Sequence, residues 1–75
     1  HMMKFSKRDS RKMIKEMARL HGLSVSEVRE QIQDKIIAVM NSDDPDQQAE
    51  FRRIFGNSTP TPEEFICTAS RQLKF

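Results

Sequence analysis

Apolar positions near the start of the chain recur every three or four residues. At about 100° per residue, Met13, Ile14, Met17 and Leu20, with His21, fall on one side of a helix expected from Lys7 to His21. Arg8, Arg11, Lys12, Lys15 and Arg19 fall on the opposite side. The pattern then breaks at Gly22 and resumes at Val25, where Val28, Ile32, Ile36 and Val39 continue one stripe of a second helix expected to reach Met40. The break itself reads as a stop followed by a start. Gly22 supplies the left-handed conformation that ends a helix, and Ser24 with Glu27 makes a capping box for the next one. Leu23 before that cap is placed to pack on Val28 as a hydrophobic staple. Two helices separated by so few residues must diverge steeply, which is the pattern of a helix-turn-helix.

After the polar break "NSDDPDQQ", Asp44 as cap and Pro45 at the first helical position open a short third helix that carries Phe51, Ile54 and Phe55 and stops at Gly56. Thr61, Pro62 and Glu64 start a fourth, whose apolar residues are Phe65, Ile66, Ala69 and Leu73, with Phe75 beyond. The expected fold class is therefore all-α, a small four-helix domain containing a helix-turn-helix. There is no internal repeat and no low-complexity segment.

Length limits what such a domain can do. At 75 residues the chain is one domain, and a domain of this size buries only about 60% of the surface its unfolded form exposes, too little to enclose a large cleft. Residues 1 to 2, His1 and Met2, read as an expression remnant, with the domain proper spanning 3–75. The start is too short and too charged for a secretory signal, no apolar run approaches a membrane span, and Cys67 is the single cysteine, so the expected compartment is the cytoplasm.

Charge is distributed unevenly. Residues 3 to 20 hold seven basic side chains, Lys4 among them, against two acids, a balance of +5, while residues 21 to 75 have a balance of −3. The outward side of the second helix carries Glu27, Glu30 and Asp34.

Catalytic chemistry has little to build on. With two histidines and one cysteine, no nucleophile-and-base set assembles, and the usual structural zinc sites lack ligands. No phosphate-cradling glycine loop is present. No enzyme activity, cofactor or small-molecule substrate is expected. Cys67 projects about 150° from the centre of the fourth helix's apolar stripe, which leaves two readings, a small space-filler or a partly exposed thiol.

Binding remains. In a helix-turn-helix the first helix crosses the nucleic-acid backbone and the second enters the major groove. Phosphate contacts are then expected from Lys7, Arg8, Arg11, Lys12, Lys15 and Arg19, and base-side contacts from Ser26, Arg29 and Gln33. Arg29 has a competing reading as the ion-pair partner of Glu30 or Asp34. Against a DNA-reading second helix stand its three outward carboxylates, which phosphates repel.

Met17 to Met40, "MARLHGLSVSEVREQIQDKIIAVM", resembles the helix-turn-helix of the DNA-binding effector domain of sporulation response regulators, the stage zero sporulation protein A family, through Ala18, Ser24, Ser26, Val28, Ile32 and Ile36. Pro60 to Leu73 is similar to that domain's closing helix through Pro60, Thr61, Glu64, Phe65, Ile66 and Leu73, and Phe55 and Gly56 resemble the segment before it. The resemblance implies an all-helical fold with a DNA-reading second helix, as a truncated stand-alone relative. Where that family has arginines, this chain has Glu27, Glu30 and Gln33; where it has a histidine, Asp34; and where it has an acid, Arg29. The expected function is a DNA-binding, transcription-regulator-like domain. The alternative is a protein-interaction module whose acidic second helix takes a basic partner or related regulator, with a homodimer as a further partner state.

Overall fold

The computed structural model describes residues 5–73, with side chains to residue 72. His1 and Met2, for which a remnant is expected, Lys4, the side chain of Leu73, and Phe75 lie outside the described residues. Four helices follow one another, α1 (Lys7–His21), α2 (Val25–Met40), α3 (Pro45–Phe55) and α4 (Pro62–Leu73), and no strand occurs among the described residues. The helix bounds are those the caps and apolar stripes predict. None of these helices is long and apolar enough to cross a membrane.

The corner between α1 and α2 is a Schellman turn. Gly22 sits in the left-handed region at φ 65°, its N–H reaches the Arg19 carbonyl at 3.4 Å, and the Leu23 N–H reaches that of Ala18 at 2.9 Å. Ser24 then caps α2. Its Oγ accepts from the Glu27 N–H at 3.0 Å, and its own N–H donates to the Glu27 carboxylate at 3.0 Å. Orphan groups at both helix ends are thereby satisfied within three residues. Ser24→Ala is expected to cost about 0.5 to 2 kcal/mol of stability, read from the denaturant midpoint at unchanged slope; an unmoved midpoint would mean that this cap does not hold the turn.

The other helices start in the same way. Thr61 and Glu64 exchange a second capping box at 2.9 and 3.1 Å, and Asp44 accepts from the Asp46 N–H at 2.9 Å. α1 carries a further box, Ser6 with Asp9, at 2.9 and 3.3 Å. Its sequence signal is Ser-x-x-Asp, a shorter-armed version of the usual glutamate pattern.

The core forms where α1, α2 and α4 meet. Ile14, Ala18 and Val28 are buried together, with Leu23, Ile32 and Ile66 packed on them, so the Leu23 and Val28 staple joins this cluster. α3 is fastened by aromatic rings: Phe51 to Phe55 at 4.6 Å between centroids and Phe55 to Phe65 at 5.2 Å.

Six side chains lie differently from the periodic reading. α1 buries Ser10, Ile14 and Ala18, while Met13, Met17 and Leu20 are exposed (44%, 37% and 66%) and His21 is exposed as well. The buried arc is rotated by about 60° from the centre of the apolar positions. Small residues explain the rotation, because Ser10 and Ala18 on either side of Ile14 let α2 and α4 approach closely, and the bulkier methionines are left at the edge. Val25 stays 40% exposed at the start of α2 although it belongs to the stripe. Cys67 is a space-filler and not an exposed thiol. It is 4% exposed, and its Sγ lies 3.5 Å from the Phe5 carbonyl oxygen, because the segment leading into α1 covers that side of α4.

Candidate nucleic-acid interface

α1 is solvated over the arc that its basic residues occupy, since α2 and α4 cover only the Ser10, Ile14 and Ala18 side. Arg8, Arg11, Lys12, Lys15 and Arg19 are all exposed. Arg19 is tied to Glu16 one turn earlier, and Lys7 lies 3.8 Å from Glu64 at the start of α4. Among the described residues no ion pair engages Arg8, Arg11, Lys12 or Lys15. These four project within one continuous arc of the helix, at spacings of three, four and seven residues. Such an arc can hold a line of phosphates.

The side chains expected to read bases are employed otherwise. Arg29 makes a bidentate pair with Glu63 on α4, with Nε at 2.7 Å and the second guanidinium nitrogen at 2.8 Å from the two carboxylate oxygens. Glu63 is the better buried partner, its side chain 15% exposed against 41% for Arg29. The Arg29 guanidinium holds the Glu63 carboxyl below the usual carboxylate range against the opposing effect of burial, with Arg11 adding to the lowering. Gln33 donates to the Pro60 carbonyl at 3.2 Å. Both side chains thus fasten α2 to the loop and first turn of α4, and only Ser26 of the three stays free at the surface. The pairing of Arg29 with Glu30 or Asp34 does not form, because α4 offers a carboxylate on the side toward which Arg29 points.

Glu63 is the partner of Arg29 that sequence reading missed. It lies 34 positions from Arg29, and nothing local marks it beyond being an acid in a helix's first turn. The outer side of α2 keeps Glu27, Glu30 and Asp34 exposed. The Glu27 carboxylate is spent on the cap, and its bonds to the Ser24 backbone and side chain hold it below the usual range. Glu30 and Asp34 stand one turn apart, and Ile37, 44% exposed, continues the same ridge.

Two hollows border α1, one on its methionine side and one beside the basic arc. One, of about 400 Å³, lies between α1 and α2 and is lined by Met17, His21, Leu23, Val28, Ile32 and Lys35. The other, of about 230 Å³, is open to solvent and lined by Arg11, Ile14 and Lys15 of α1, Val25 and Arg29 of α2, and Glu63. No family model, no curated protein and no solved structure matches this chain.

Proposed function

We propose that this protein is a non-enzymatic DNA-binding domain of transcription-regulator type, acting in the cytoplasm, that holds duplex DNA chiefly through its phosphate backbone. The observation that carries the reading is the α1 arc, where Arg8, Arg11, Lys12 and Lys15 stand exposed with no ion-pair partner among the described residues. In this reading α1 and α2 act as a helix-turn-helix pair, and the resemblance to the effector domain of sporulation response regulators supports the same assignment. Sequence preference is weak. Arg29 and Gln33 are held by Glu63 and Pro60, so reading a base edge would require breaking those contacts.

A second reading has its own support: a protein-interaction module that takes a basic partner on α2. Glu30, Asp34 and the exposed Ile37 form an acidic ridge with an apolar end, a surface suited to a cationic amphipathic segment. A second copy of the chain remains the other protein partner, with the hollow beside Met17 as the surface it would meet.

Titration with mixed-sequence duplex at two salt concentrations tests the first reading, because phosphate binding must weaken as salt rises. The variant Glu27→Gln with Glu30→Gln separates the two. Under the DNA reading it tightens duplex binding, since two repulsive charges leave the approach. Under the protein reading it loosens the complex with a basic partner. Absence of duplex binding at low salt removes the DNA assignment.

A further inference from the structure

The hollow between α1, the start of α2 and the first turn of α4 combines a cationic rim with an apolar floor. Arg11 and Lys15 reach it from α1 and Arg29 from α2, while Ile14 and the exposed Val25 line its base. Among the described residues Glu63 is the only carboxylate that borders it. Three cations against one acid leave an excess of two positive charges around about 230 Å³.

We propose that this hollow seats one sugar-phosphate unit of a nucleic-acid backbone, a proposal that rests on the reading of α1 as a phosphate-binding surface and gives that surface a defined anchor point. The phosphate accepts from Arg11 and Lys15, and the pentose covers Val25. This accounts for an apolar residue that begins the α2 stripe yet stays 40% exposed. A bare phosphate ion has no group to lay on Val25, so the lining selects an anion that carries a carbon frame. Glu63 holds Arg29 at the rim by its two short bonds. Its carboxylate occupies the place of an anion beside that guanidinium, so Arg29 contributes its field but donates no bond to an incoming phosphate. Glu63 thereby moderates the affinity of the seat.

The test uses the full chain, a short mixed-sequence duplex and inorganic phosphate, with each variant checked by circular dichroism. Glu63→Gln frees Arg29 and is expected to tighten duplex binding and steepen its salt dependence by about one unit of slope. Because Glu63→Gln also loosens the tie between α2 and α4, Val25→Glu provides a second arm. An acid at the first position of a helix complements the helix dipole, so the fold is retained, while a carboxylate on the floor of the seat is expected to weaken duplex binding by at least about tenfold. Ala49→Glu on the exposed side of α3 makes the same charge change elsewhere and is expected to leave affinity nearly unchanged. Amide shifts at Val25 and Ile14 on addition of duplex, without equal shifts on addition of inorganic phosphate, complete the expected result. If Val25→Glu and Ala49→Glu weaken binding alike, or inorganic phosphate perturbs the hollow as strongly as duplex does, the seat is overturned while the α1 surface stands. If the parent chain binds no duplex at low salt, both readings fall together.

Discussion

Ile14→Ala is expected to lower the unfolding free energy by about 2 to 5 kcal/mol, while Leu20→Ala on the same helix leaves it within about 0.5 kcal/mol. Ile14 is 1% exposed at the junction of three helices, so truncation leaves a hole that Ala18, Val28, Leu23, Ile32 and Ile66 cannot all move to fill. A chain of this length has roughly 4 to 11 kcal/mol of stability in total, so the loss is a large share of what holds it folded. At roughly 4 to 8 °C per kcal/mol, the midpoint of thermal unfolding falls far enough to be read in a single scan. Leu20→Ala removes the same three carbons, yet Leu20 is 66% exposed. Equal losses at the two positions would mean that α1 buries its methionine side after all.

The second large effect concerns charge. With Arg8, Arg11, Lys12 and Lys15 as the phosphate contacts, the logarithm of the duplex binding constant should fall with the logarithm of salt at a slope of about −3.6, roughly a hundredfold loss for a fourfold rise in salt. Lys12→Glu with Lys15→Glu removes two of those contacts, and the slope should drop to about −1.8, roughly a tenfold loss over the same rise. Binding at any given low salt should weaken for every duplex alike, because these side chains meet phosphates and not bases. Filter binding or fluorescence anisotropy across a salt series measures both quantities. A slope unchanged by the double reversal would take the phosphates away from α1.

The helices were legible in the sequence because their signals are local. Gly22, Ser24 with Glu27, Asp44 with Pro45, and Thr61 with Glu64 each act within a few residues, and each sits where its spacing predicts. What the spacing could not supply was which side of α1 faces inward. An amphipathic wheel weighs hydrophobicity, whereas close packing of three helices around Ile14 also favours small residues, so Ser10 and Ala18 outcompeted Met13 and Met17. The candidate site divides along the same line. The basic arc of α1 is a property of one helix and was readable as such. The engagement of Arg29 by Glu63 and of Gln33 by Pro60 depends on how α4 returns to α2, across 34 and 27 positions, and no local pattern encodes it.

Cys67 lies beneath the segment at Phe5, closed off from the surface. Oxidants and alkylating reagents therefore reach its sulfur only in molecules whose α4 has parted from that segment, so modification follows the frequency of opening. The closed form has no room at that position for a second sulfur from another molecule. Any covalently linked pair on a nonreducing gel is then the product of chains that had already opened, not of their closed form.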